Sequence, residues 1–394
     1  MVSELLSLAR QKGTSDLGGN ESMRFGQAGS APQVVVWNVC LQCNMTCPHC
    51  YAGSGDQKGS GELNTAEGMK LLEDLAAAGV KAVIFSGGEP LLRNDLETLI
   101  RQARSLGMGT HLSSNGTLID GKTADMLASA GISYVGVSVD GSPGFNDEYR
   151  GFSGGFEKAL QGLKNAKGAG MKTGLRLTLT RRNAQEVGAM AELTAGQGID
   201  RFYLSHLVYS GRGKHLTGED LPPEETRMQL LELFLLAERM LEQGQPLRIV
   251  TGANDSGGPL LLRWIGERYG QEAGGKIHTL LKRRGGNSAG ERLLAITHRG
   301  DVHPDQFWRK DTLGNVRRES LAEILAHPLL AMLRERDRHI TGRCSGCAYL
   351  EICRGSHRER ALAATGDVWS SDPACVMRDS EITTPAKVVA GGMA

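Results

Sequence analysis

The amino-acid sequence predicts an α/β fold: a partial (β/α)6 barrel followed by a small C-terminal domain organised by cysteines. Three features carry that expectation. Short β-type runs alternate with helix-like stretches, helix starts and stops carry capping residues, and the eight cysteines fall in two tight groups, 40–50 and 344–375. Strands alternating with helices imply a parallel sheet with right-handed crossovers.

The alternation follows one grammar. A helix-like stretch closes on a glycine, one apolar residue follows, and a β-type run begins. Gly79-Val80 precedes 82–86, Gly107-Met108 a run ending at Ser114, and Gly131-Ile132 the run 134–138. Gly170-Met171 precedes a run ending at Leu179, and Gly198-Ile199 one ending at Ser205. Each glycine stands where a helix favours a left-handed C-terminal residue. Asn64 with Glu67, Asn94 with Glu97, and Asn183 with Glu186 read as capping boxes at helix starts. Counting 34–39 as the first gives six strands, the first five each followed by a helix. That is two units short of a closed eight-stranded barrel, and the lateral opening suits a large substrate.

Residues 1–32 predict a flexible leader, because 11–32 is rich in Gly, Ser, Asn and Gln with no apolar period. Residues 33–215 form the expected barrel, and 216–292 a connecting helical region with a helix over 223–242. Residues 293–380 form the C-terminal domain, with a hairpin around Gly300-Asp301 between 293–298 and 302–308 and a helix over 320–336. Residues 381–394 read as a flexible tail. A net charge of +1 gives no electrostatic case for nucleic acid or a membrane surface. No run of about 18 apolar residues predicts a transmembrane helix. Residues 1–10, which include Glu4, lack the basic-then-apolar form of a signal peptide. The expected location is the cytoplasm, where clustered cysteines argue for metal rather than disulfides.

Cys43-Asn-Met-Thr-Cys47-Pro-His-Cys50 packs three thiols into eight residues, directly ahead of Tyr51. An iron–sulfur cube normally takes four thiolates, so three leave one iron open, and an open metal position marks a site kept for chemistry. The loop follows the first strand, the end at which active sites gather in parallel α/β folds. A structural zinc knuckle with Cys40 or His49 as fourth ligand is the alternative, as is an iron–sulfur site completed by Cys40. Ser86-Gly87-Gly88-Glu89-Pro90 closes the second strand; its glycines admit close backbone approach, and Glu89 offers an acceptor for an ammonium group. Ser113-Ser114-Asn115-Gly116 and Ser138-Val-Asp140-Gly141 end the next two strands and converge on the same pocket. Cys344-x2-Cys347-x5-Cys353-x21-Cys375 is a closed set of four thiols, suited to an auxiliary 4Fe–4S cluster or a structural zinc.

The pattern Cys-x3-Cys-x2-Cys-aromatic, followed one βα unit later by Gly87-Gly88-Glu89-Pro90, resembles the radical S-adenosylmethionine (SAM) superfamily. The resemblance implies that Cys43, Cys47 and Cys50 hold a 4Fe–4S cluster whose open iron binds the methionine end of SAM. It assigns Gly87, Gly88 and Glu89 to the SAM amino group, Asn115 and Ser138 to its ribose or carboxylate, and Arg176 to its carboxylate. The second cysteine group resembles the SPASM extension, which usually carries two auxiliary clusters. His357 and Asp305 stand at usual cysteine positions, so the resemblance implies a single auxiliary cluster on Cys344, Cys347, Cys353 and Cys375.

From 34 to 379 the chain resembles the radical SAM family of haem d1 biosynthesis, the NirJ family. Trp37-Asn38, the run 202–206, Gly211-Arg-Gly213, Asn254-Asp255, Gly285-Gly-Asn287 and Asp372-Pro-x-Cys375 carry that likeness, with 302–305, 313–317 and Gly366-Asp-x-Trp369. It implies removal of propionate side chains from an iron tetrapyrrole, didecarboxysirohaem, with an electron donor such as a flavodoxin or ferredoxin. A substrate with several carboxylates calls for cations, and Arg212, Lys214 and Arg309 are the candidates. His206, His215 and His303 are candidates for the substrate iron. Rival readings are decarboxylation of an iron coproporphyrin to haem, peptide modification, and a non-catalytic metal scaffold.

Overall fold

The computed structural model describes residues 1–10, 32–245 and 247–383. The described chain opens with helix α1 (Val2–Arg10) and then runs through strands β1 (Val34–Asn38), β2 (Ala82–Ser86), β3 (Gly109–Ser114), β4 (Tyr134–Ser138), β5 (Lys172–Leu179) and β6 (Arg201–His206). Between them lie α2 (Thr65–Ala77), α3 (Leu96–Ser105), α4 (Gly121–Ala130), α5 (Pro143–Arg150), α6 (Gly155–Gly168) and α7 (Val187–Gly196). The junction glycines behave as the sequence requires, with φ of 85° at Gly79, 81° at Gly107, 110° at Gly131, 86° at Gly170 and 65° at Gly198.

After β6 come α8 (Pro223–Glu242), β7 (Arg248–Gly252), α9 (Gly257–Tyr269), α10 (Gln271–Arg284) and the strands β8 (Leu293–Ile296), β9 (Asp301–His303) and β10 (Gly314–Asn315). The C-terminal segments are α11 (Leu321–Leu325), α12 (Pro328–Arg334), α13 (Leu350–Cys353), α14 (Arg358–Thr365) and α15 (Asp379–Ile382). All ten strands join one open sheet in the order β10-β9-β8-β1-β2-β3-β4-β5-β6-β7. The six expected strands are parallel and adjacent. Two more parallel strands flank them, β7 beside β6 and β8 beside β1. The expected hairpin is present as β8 and β9, and β8 draws it into the main sheet.

Burial alternates along β3 and β5 with the period of two that strands impose. Trp37, Phe85, Leu112, Val137, Leu177 and Phe202 are wholly buried on one face; Trp37 there meets Gly68 of α2. The other face carries Asn38, Ser86, Ser113, Ser138, Arg176 and Tyr203 and forms the polar inner wall of the partial barrel.

Five expectations need correction. The leader is not flexible throughout: Val2, Leu5 and Leu6 are buried in the core, at the i, i+3, i+4 spacing of one helix face. Met1 donates its amino group to the Ile249 carbonyl at 2.8 Å, and Ser3 Oγ accepts from Ile249 N at 3.1 Å. Those bonds occupy the edge strand β7, whose unpaired groups need a cover. The rest of the expected leader, 11–31, lies outside the described residues, as does 384–394 of the expected tail. The start of that tail is ordered, with Glu381 paired to Arg227 at 2.8 Å.

The capping boxes hold only at Asn64 and Glu67. Asp95, not Asn94, caps α3, and without a side-chain bond. Asn183 turns inward instead, donating to the carbonyls of Asp140 and Thr178 at 2.8 and 2.9 Å. The helix expected over 320–336 is broken into α11 and α12 by Pro328, which has no N–H to continue it. Finally, the connecting region contains β7 as well as helices. No helix among the described residues is long and apolar enough to cross a membrane.

Candidate active site

The loop after β1 brings Cys43, Cys47 and Cys50 to the C-terminal edge of the sheet, with the first two buried and the third half-buried. Cys43 and Cys47 form a small cluster with Met45, against which Cys50 and Phe152 pack. Burial pushes the Cys43 thiol up to about 11 and raises Cys47 too. Such thiols give up their protons to a metal rather than to solvent. Cys40 does not join them. It is buried in the main core, its Sγ donates to the Glu89 carbonyl at 3.2 Å, and burial pushes it up to about 12. A fourth ligand from Cys40 therefore has no support in the geometry.

The turn after β2 is fitted to this loop. Gly88 N donates to the Cys40 carbonyl at 2.9 Å and Glu89 N to the Gln42 carbonyl at 2.7 Å. A Cβ on Gly88 would lie 2.0 Å from the Gln42 oxygen, and one on Gly87 2.6 Å from the Cys40 oxygen. The two glycines are thus required by the approach of one loop to another. Glu89 is wholly buried, and its carboxylate takes three donors. Oε1 accepts from Ser114 Oγ at 2.9 Å and Leu91 N at 3.2 Å, and Oε2 from Asn115 N at 2.8 Å. Through these three bonds the carboxylate fixes the neighbouring strand end. Burial pushes it up to about 7, against the pull of those three donors.

Asn115 reaches back to the cysteine loop. Its Nδ2 donates to Asn44 Oδ1 at 2.7 Å and lies 3.9 Å from Cys43 Sγ, while Oδ1 accepts from Thr117. On the inner wall Ser138 is the register partner of Arg176. Arg176 Nη1 donates to Ser113 Oγ at 2.7 Å, and its guanidinium lies 5.9 Å from the Tyr134 ring centre. Gly136 leaves room for it, since a Cβ there would stand 2.4 Å from Arg176 Nε. Arg176 therefore faces inward. Tyr51 also points into the barrel, its hydroxyl 3.2 Å from Ser86 Oγ and 3.4 Å from Asn38 Oδ1.

Two residues of this site, Arg150 and Asn44, had no distinguishing signal in the sequence. Asp140 pairs with Arg150 at 2.7 Å and with His49 at 3.3 Å directly behind Cys47, and Asn44 carries the link to Asn115. A lone arginine at the end of a helix or an asparagine in a loop reads as ordinary surface chemistry.

The candidate substrate residues separate sharply. Arg212 Nε donates to the Cys47 carbonyl at 2.9 Å and Nη1 to the Ser54 carbonyl at 2.7 Å. It is tied to the cysteine loop, while Nη2 has no partner among the described residues. Lys214 and His215 are exposed. His206 is buried, pushed down to about 3 by burial, with Nε2 lacking a partner among the described residues. His303 is buried as well and its Nδ1 meets the Asp311 carbonyl at 2.8 Å. Arg309 lies 5.4 Å from the Tyr51 ring centre, beside the cysteine loop.

The second thiol set is assembled by the C-terminal segments. Cys344 and Cys353 are buried, Cys347 and Cys375 half-buried, and none is in a disulfide. Burial pushes Cys375 up to about 11 and Cys353 well above the usual thiol range, with Cys344 adding to both. Gly286 allows the Cys353 loop to close, because a Cβ there would lie 2.0 Å from the Cys353 oxygen. Asp305 and His357 do not enter this set. They meet each other at 3.9 Å, and Asp305 Oδ1 caps Phe307 N and Trp308 N at 2.8 Å each. By number, three thiols would leave one iron of a cube open and four would close it.

The chain matches the Radical SAM superfamily over residues 37–194 and the SPASM iron-sulfur cluster-binding domain over residues 288–348. It is 41% identical over 366 residues to the pre-heme d1 synthase of Dinoroseobacter shibae, covering 91% of this chain and 90% of that protein. It is 42% identical over 356 residues to the Fe-coproporphyrin III synthase of Methanosarcina barkeri, covering 89% of each. The solved structure of native anSMEcpe with bound AdoMet shares the fold, with a TM-score of 0.67 over 87% of this chain and 93% of that one at 18% identity. The chain therefore belongs to the radical SAM superfamily, in the SPASM-bearing family that includes these two synthases, and is an enzyme that uses SAM and two iron–sulfur clusters.

Proposed function

We propose that this enzyme removes propionate side chains from the iron tetrapyrrole didecarboxysirohaem on the way to haem d1. The observation that carries the reading is the 41% identity to pre-heme d1 synthase over 91% of the chain, a likeness too long to be confined to the SAM-binding half. The cytoplasm is the proposed location, with a flavodoxin or ferredoxin as electron donor.

Cys43, Cys47 and Cys50 would hold the SAM-side 4Fe–4S cluster, and Cys344, Cys347, Cys353 and Cys375 the auxiliary one. When bound, the SAM-side cluster and SAM would together supply the one-electron radical chemistry needed to break an unactivated C–H bond. The chain's own task is to bind, orient and shield. The Gly87-Gly88 turn offers main-chain groups beside the cysteine loop. Asn115, Ser138 and Arg176 line the same end of the inner wall and suit the polar and carboxylate groups of SAM. Arg309, above the Tyr51 ring, is the cation best placed for a substrate propionate. Buried walls around the thiols exclude water from a reactive site.

A second reading is favoured by the 42% identity to Fe-coproporphyrin III synthase, namely formation of Fe-coproporphyrin III. One anaerobic incubation with didecarboxysirohaem, SAM and a reductant, followed by mass spectrometry, separates them. Loss of propionate mass supports the first. A product matching Fe-coproporphyrin III, with its propionates kept, replaces it with the second. SAM cleavage with the tetrapyrrole unchanged rejects both.

A further inference from the structure

Each thiol set has beside it a guanidinium that hydrogen-bonds to main-chain carbonyls and, among the described residues, pairs with no carboxylate. Arg358 is wholly buried. Its nitrogens donate to the carbonyls of Gly355, Ser356, Val368 and Ser370, the last two at 2.8 and 2.7 Å. These carbonyls belong to the segment that follows Cys353 and the one that precedes Cys375. Ser371, next in that second segment, accepts from Cys344 N at 3.3 Å. Arg358 thus binds together the backbone that carries three of the four auxiliary thiols.

The neighbouring carboxylate is already committed. Asp372 takes Arg360 through both oxygens at 2.8 Å each. The two buried arginines respond oppositely. Burial pulls Arg358 below its ordinary value, resisted first by Asp372, which it does not touch, and then by Cys344 and Cys353. Arg360 is held above its own against burial, chiefly by Asp372.

Arg212, half-buried, makes a similar arrangement at the first site. Its bonds go to the carbonyls of Cys47 and Ser54, its main-chain N donates to the Cys50 carbonyl at 3.0 Å, and Nη2 is buried with no partner among the described residues. Gly211 makes the contact possible, since a Cβ there would lie 2.3 Å from the Tyr51 oxygen.

A buried charge without a counter-charge is strongly unfavourable, so a persistent one implies an anion to come. Thiolate-ligated iron–sulfur clusters are anions, and their potentials depend on nearby charge and hydrogen bonds. We propose that Arg358 and Arg212 are positioning residues that supply the counter-charge of the auxiliary and SAM-side clusters, each raising the reduction potential of its own cluster. Reduction adds negative charge, and a fixed cation favours the more negative state. The inference is independent of which tetrapyrrole is the substrate.

The test uses the full chain, reconstituted anaerobically, as wild type, R358Q, R358K, R212Q and R212K, with redox titration followed by electron paramagnetic resonance. R358Q is expected to lower the auxiliary midpoint by about 59 mV or more, the one-electron equivalent of a tenfold change in reduced fraction, and to leave the SAM-side midpoint in place. R212Q is expected to do the reverse, and each lysine variant to recover most of the shift. Wild-type midpoints in both glutamine variants at full iron loading overturn the proposal. If a glutamine variant loses its cluster and the lysine variant keeps it, the charge requirement stands. Loss in both shows that shape alone matters and overturns it.

Discussion

Glu89 accepts the main-chain N–H of Asn115 at 2.8 Å, so the turn after β2 sets the position of the turn after β3. Asn115 in turn holds Asn44 in the cysteine loop at 2.7 Å. The SAM end of the barrel is therefore one hydrogen-bonded unit in which three consecutive strand ends fix each other.

Removing the centre of that unit has a calculable cost. Glu89→Ala leaves three donors facing a buried gap, and each unsatisfied buried group costs about 1–3 kcal/mol. The variant is expected to unfold at clearly lower denaturant concentration and to bind SAM weakly. Glu89→Gln, which keeps the shape and one acceptor oxygen, should fall between it and wild type. An alanine variant as stable as wild type would show that the carboxylate is not the organiser.

Gly88→Ala tests the fit between turn and loop. Its Cβ would stand 2.0 Å from the Gln42 oxygen, a backbone atom that a side-chain rotation cannot clear. Forced overpacking of this kind costs about 1–3 kcal/mol or more, and iron retention at the first site should fall with it. Gly168→Ala, at the end of α6 with nothing within 4 Å, is the control. It is expected to be neutral or to stabilise by up to about 1 kcal/mol.

Ligand assignment is tested by counting iron. About eight irons per reconstituted wild-type chain corresponds to two 4Fe–4S clusters. Cys40→Ala should keep them all, because its thiol serves the core. Alanine at Cys43, Cys47 or Cys50 should halve the count, and so should alanine at Cys344 or Cys353. Loss of the first cluster in Cys40→Ala would place a fourth thiolate on the supposedly open corner.

His206 gives a pH signature. Burial holds its pKa at about 3, below the unfolded value of about 6.5. The folded state therefore binds fewer protons between those values, and stability falls as pH drops through that window. At pH 5 the loss attributable to this histidine is about 2 kcal/mol. Denaturant unfolding of wild type and His206→Gln at pH 7 and pH 5 should show the wild type losing more. Parallel losses would rule out His206 as the source.

Leu6→Ala distinguishes a packed helix from a leader. Leu6 is wholly buried in the core, and a Leu→Ala change at such a site costs about 2–5 kcal/mol. A change without effect on thermal unfolding would return residues 1–10 to a flexible role.

Legibility followed the range of the interactions involved. The βα rhythm, the left-handed glycines and the Asn64–Glu67 cap are set within a few residues, and the structure keeps them. Asn183 carried the same local signal and lost to tertiary partners, while at Asn94 the helix begins one residue later, after Asp95. Strand β7 was hidden because five residues between two helices give little periodicity. The short apolar face of α1 was masked by the polar stretch after it.

By itself the sequence determined the chemistry, because three thiols at fixed spacing and a glycine turn one unit later are local patterns with few other uses. Tertiary structure decided which polar groups are free. Arg212 clasps a carbonyl 165 residues away, Glu89 organises the next strand end, and Cys40 turns into the core. Whether a charged or thiol group faces a ligand or a carbonyl depends on which strands become neighbours and what they bury. No spacing along the chain records that.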